Sequence, residues 1–92
     1  MNHSFHSDNN ETAELQKALA FYQQAKDEAE QGNLLMCVAH LTQAIMLKED
    51  YTEARQLRAE VLTKMGQFAE AAADYQYLID LKSINGVFQN KQ

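Results

Sequence analysis

The stretch ARQLRAEVLTKMGQFAEAAADYQYLIDL, residues 54–81, decides the fold. It reads as helix, glycine stop, helix. Ala54, Leu57, Ala59, Val61, Leu62 and Met65 recur at helical spacing before Gly66-Gln67. Phe68, Ala71, Ala72, Tyr75, Leu78, Ile79 and Leu81 do the same after it. Upstream, residues 20–47, AFYQQAKDEAEQGNLLMCVAHLTQAIML, follow the same plan. Gly32 and Gly66 lie 34 residues apart. The same step pairs Ala20 with Ala54, Ala25 with Ala59, Leu34 with Phe68 and Cys37 with Ala71. It also pairs Ala39 with Ala73, Leu41 with Tyr75, Ile45 with Ile79 and Leu47 with Leu81. Small residues match small ones and bulky apolar residues match bulky ones, so the chain holds two copies of one helix–turn–helix unit.

Packing explains the pattern. Small residues at Ala25, Cys37, Ala59 and Ala71 let two antiparallel helices approach closely. Leu34 and Phe68, just after the glycines, are expected to plug the top of each hairpin. Leu41 and Tyr75 are expected to fill the space toward the next one. A lone hairpin cannot bury its apolar face, so the two stack.

Working outward, ETAELQKALAFYQQAKDEAEQG has high helix propensity, and Asp8 with Glu11 has the spacing of a capping box. Residues 34–47 are apolar almost all round, which predicts a helix covered by neighbours, with Met36, Met46 and Met65 as core fillers. Asn85-Gly86 predicts a turn. The expected organisation is a flexible tail over 1–10, one domain over 11–82 with units at about 18–50 and 52–82, and a C-terminal tail or start of a capping segment over 83–92.

Composition agrees. The 92 residues are 46% hydrophobic and 23% charged, with no proline, no tryptophan and three glycines, which favours an all-α domain over many short strands. A net charge of −5 disfavours a nucleic-acid surface, which needs a basic footprint. One cysteine makes neither an internal disulfide nor a thiolate zinc site. No apolar run approaches the ~20 residues that span a bilayer. The polar start MNHSFHSDNN does not read as a secretory signal, so a cytoplasmic setting is expected.

The two copies resemble the tetratricopeptide repeat. Ala59, Leu62, Gly66, Phe68, Ala71 and Tyr75 stand at the characteristic places in the second copy. Phe21, Ala25, Gly32, Leu34 and Leu41 do so in the first, with Cys37 replacing the usual alanine. The resemblance covers roughly residues 18–82 and implies four helices in two stacked antiparallel hairpins, a short superhelix. Glu28 stands where the second copy has Leu62, so the outer face of the first hairpin is expected to be solvated. The family's usual proline after the second helix is replaced by Glu49 and Ser83, and Val87 and Phe88 fall where a third unit would begin.

The resemblance implies a protein–protein interaction module, a scaffold or adaptor, with a concave face built from the first helix of each unit. That face carries Leu19, Tyr22, Gln23, Lys26 and Glu30, then Glu53, Gln56, Leu57, Glu60 and Lys64. The family's Lys/Asn clamp for a C-terminal carboxylate is not matched, because Lys26 stands alone opposite Glu53 and Glu60. A partly acidic groove suits a basic peptide better. Three alternatives stand beside this reading: a self-associating structural module, the N-terminal part of a longer repeat protein, and a small secretion or assembly chaperone. For self-association, Tyr77, Ile84 and Phe88 are read as the sticky C-terminal end and a homodimer interface.

Chemistry is expected to be absent. Cys37 reads as a buried structural thiol, and His40 three residues on gives no triad. His3 and His6 read as part of a solvated tail. No nucleophile–base pair, phosphate-cradling loop or metal cluster is evident, so neither enzymatic activity nor a cofactor is expected.

Overall fold

The computed structural model describes the backbone of residues 3–90 and the side chains of residues 11–84. It is all-α: α1 His3–Gln31, α2 Leu34–Leu47, α3 Thr52–Lys64 and α4 Phe68–Asn90, each packed against the next. Two hairpins, α1–α2 and α3–α4, join through α2 and α3.

Both hairpin turns have one mechanism. Gly32 and Gly66 adopt φ of 82° and 81°, in the left-handed region where a side chain is strained. Asn33 N donates to Glu28 O at 2.8 Å and Gly32 N to Ala29 O at 3.1 Å. Gln67 N donates to Leu62 O at 2.8 Å and Gly66 N to Thr63 O at 3.0 Å. These are matched Schellman closures, which satisfy the last carbonyls of α1 and α3 and reverse the chain.

The core is built of small residues. Ala18, Ala25, Cys37, Leu41, Ala44 and Ala54 are fully buried, joined by Ile45, Tyr51 and Val61. Leu34 packs against this cluster. Phe68, its partner one repeat on, is instead 66% exposed. It does not plug the second hairpin: among the described residues no helix packs on α4 as α3 packs on α2.

Four further expectations are corrected. The first copy's outer face is not solvated at Glu28, which is only 6% exposed. The aligned polar groups described below hold it there. Helix α2 is not covered all round: Leu35, Met36 and Met46 are exposed, whereas Met65, at the end of α3, packs against the core as expected. Flanking helices α1 and α3 cover its Cys37–Leu41–Ala44–Ile45 stripe and leave the far face bare. Asn85-Gly86 forms no turn, since α4 runs through it to Asn90. One interior glycine costs a helix about 1 kcal/mol, too little to stop one already propagating. At the other end α1 is already helical at His3, so the Asp8–Glu11 spacing lies inside it.

Candidate functional site

The Tyr22 ring on α1 and the Tyr51 ring just before α3 pack with centroids 5.1 Å apart, tilted by 48°. Beside that contact opens a groove of about 380 Å³. Glu53, Gln56, Leu57 and Glu60 reach it from α3 because the i, i+3, i+4, i+7 spacing puts them on one face. Tyr22 reaches it from α1, and Leu78 from α4 closes it. Thr52 also lines it. Tyr22, Glu53, Gln56, Leu57 and Glu60 are thus brought together as the sequence expects. Lys26 stands at the rim, its Nζ 5.3 Å from the Tyr22 ring centroid. Gln23, Glu30, Lys64 and Leu19 are exposed and lie outside the lining. Leu78 was not foreseen, because its α4 stripe had no assigned face.

The groove is acidic. Burial pushes the Tyr22 phenol above its ordinary value, and the charges of Glu53 and Glu60 push it further. Both carboxylates are therefore close enough to act on the groove wall. Gln56 Nε2 donates to Glu60 Oε2 at 3.0 Å, and Thr52 Oγ1 donates to Glu53 Oε1 at 3.3 Å. Among the described residues neither carboxylate has a cation at ion-pair distance.

A second set of polar groups was missed by sequence reading. In the first hairpin His40 Nδ1 lies 2.8 Å from Glu28 Oε1, and Gln24 Nε2 donates to Glu28 Oε2 at 3.1 Å. The Phe21 ring stacks on His40 at 5.7 Å. Burial alone raises the Glu28 carboxyl, but the His40 and Gln24 hydrogen bonds and the His40 charge outweigh it, so the group sits below its ordinary value. As a carboxylate Glu28 only accepts, so Nδ1 carries the proton and donates.

In the second hairpin Asp74 is 2% exposed. Arg58 grips it with two nitrogens, Nε to Oδ2 and Nη2 to Oδ1, each at 2.7 Å. Arg55 Nη1 adds a bond at 3.3 Å, and Arg58 Nη1 reaches across to Thr42 Oγ1 on α2 at 3.1 Å. The 34-residue step maps Phe21, Gln24 and His40 onto Arg55, Arg58 and Asp74. Both copies therefore place a polar cluster at the same station. The signal available in the sequence was a charged residue, Asp74, inside the alanine-rich packing stripe of α4.

The remaining candidates resolve simply. Cys37 is buried, and burial, with the Glu28 charge, raises its thiol, so it stays protonated and unreactive. Tyr77 does not face the open end: the Arg55 guanidinium lies 3.8 Å from its ring centroid and holds it toward α3. Ile84 is exposed, and the side chains of Phe88, His3 and His6 lie outside the described residues. A larger cavity of about 700 Å³ opens between α1 and α2 beside Lys17, Phe21, Gln24, His40 and Leu47. One repeat on, the counterparts Tyr51, Ala54 and Asp74 are buried, because α2 lies against α3 there. The cavity is thus the bare end of the stack.

Among the described residues no helix is long and apolar enough to cross a membrane, and no three His, Cys, Asp or Glu side chains converge as metal ligands. Comparison with family models, with curated proteins and with solved structures gives no match.

Proposed function

We propose that this chain is a protein–protein interaction module of the tetratricopeptide kind, a scaffold or adaptor that takes an extended basic segment of a partner in the α1–α3 groove. One observation carries the reading. Glu53 and Glu60 border a groove with apolar contact from Tyr22, Leu57 and Leu78, and among the described residues neither has a cation at ion-pair distance. A Lys or Arg side chain would supply the missing charge while its stem covers Leu57 and the Tyr22 ring. The buried, protonated Cys37 thiol accords with a reducing, cytoplasmic setting and with a non-catalytic role.

The test is fluorescence anisotropy with a labelled, extended peptide alternating Lys and Leu, against the same peptide with Glu for Lys. The basic peptide binds and the acidic one does not. Glu53→Lys with Glu60→Lys weakens binding roughly tenfold or more, about 1.4 kcal/mol, and added salt weakens it in the native protein. Equal affinity before and after the double reversal sinks the groove as the site.

A further inference from the structure

The two ends of the stack differ in chemistry. At the first end α1 offers Gln23, Asp27 and Gln31, where α3, one repeat on, offers Leu57, Val61 and Met65. That face of α1 is polar. At the other end α4 carries Phe68, Ala72, Tyr75 and Ile79 in one stripe at i, i+4, i+7, i+11. Phe68, Tyr75 and Ile79 are 66%, 37% and 55% exposed. The equivalent α2 stripe, Leu34, Val38, Leu41 and Ile45, is covered by packing in the core. The α4 stripe has the chemistry of a packing face, and among the described residues no helix covers it.

We propose that this α4 face is an interface for a second copy of the chain, paired antiparallel about a two-fold axis. The stripe is complementary to itself in that orientation. Phe68 meets Ile79 of the other copy, and Tyr75 meets Ala72, so large side chains fall on small ones at the centre. The charged neighbours Asp80 and Lys82 lie past the first helical residue, Phe68, of the other copy's α4, so neither is forced into the seam. The polar α1 face is a poor alternative occupant, since it offers Asp27 and Gln31 to an aromatic surface. Covering this stripe with its flanking alanines removes about 500 Å² per copy, so a pair reaches on the order of 1,000 Å², the lower bound for a specific interface. The interface is distinct from the acidic groove and does not depend on the groove's function. It also differs from the end read from sequence, because Tyr77 is held by Arg55.

Light scattering over a concentration series tests it on the full chain. Mass rises from 10.5 kDa toward twice that value. Each chain carries a net charge of −5, so salt strengthens the pairing by screening repulsion, the opposite of its effect on a basic peptide. Phe68→Glu and Ile79→Lys, both at exposed positions, each remain monomeric with the native circular dichroism spectrum. Mixing the two variants restores a dimer, because one contact then becomes Glu opposite Lys and the other stays Phe opposite Ile. A chain monomeric at every concentration and salt, or a dimer untouched by both substitutions, overturns the proposal. Loss of the dimer in each variant without recovery on mixing overturns the two-fold register. Glu53→Lys with Glu60→Lys keeps the dimer; a monomer from that variant places the interface in the groove instead.

Discussion

Glu28 gives the protein a predictable response to acid. Its carboxyl is held below the ordinary value of 4.5 by His40 and Gln24, despite the opposing effect of burial. A group with a lowered folded value contributes stability above the unfolded value and loses it as pH falls through the folded one. Acid titration of the native chain therefore shows a loss of stability beginning near pH 4.5 and continuing below it. Glu28→Gln flattens that part of the profile when melts are recorded across the same range; a slope equal to the native one contradicts the assignment. This residue was legible only as a departure. Its position opposite Leu62 was visible in the repeat, but a carboxylate at an apolar station reads as solvated until its partner is seen. His40 lies on the following helix, and the i, i+4 contact from Gln24 carries no signal of burial.

At the scale of elements the two turns carry the fold. No heavy atom lies within 4 Å of where a side chain would stand on Gly32 or Gly66, so only backbone strain opposes substitution there. Gly32→Ala and Gly66→Ala each cost about 1–2 kcal/mol, read as a lowered midpoint in urea with an unchanged slope. Gly32→Asn costs less, since Asn tolerates the left-handed region. Equal midpoints for Ala and native chains would mean the φ values relax freely. These turns explain why so much was legible. Gly32-Asn33 and Gly66-Gln67 stop helices, and periodic apolar residues fix what lies between, so α2 spans the expected residues and α3 and α4 break at Gly66-Gln67 as expected. The length of α4 was not legible. Its last residues lack a strong stop, and a single Asn-Gly dipeptide is weak against an established helix. The exposure of Phe68 and Met46 was hidden for another reason: periodicity marks an apolar face, not whether a neighbour exists to cover it.

At the scale of the molecule, the 18 Å shortest dimension is that of two helix layers, and the hairpins are joined by few polar ties. Arg58 is the principal one, since it holds Asp74 within its own hairpin and Thr42 in the other. Asp74→Ala leaves two guanidiniums without their carboxylate. The expected loss is about 2–3 kcal/mol, at the lower end for a broken buried pair because both arginines keep an edge in water. Thermal denaturation reads this as a midpoint lowered by roughly ten degrees or more, and a shift of only a degree or two argues that the cluster is decoration. The clusters also have opposite polarity. In the first hairpin the acid, Glu28, sits on the leading helix and the base on the trailing one; in the second the bases lead and the acid, Asp74, trails. If the halves exchanged partners during folding, α1 against α4 would set Glu28 beside Asp74, and α3 against α2 would set two arginines on His40. The polar clusters of the two hairpins therefore match only within their own half of the chain.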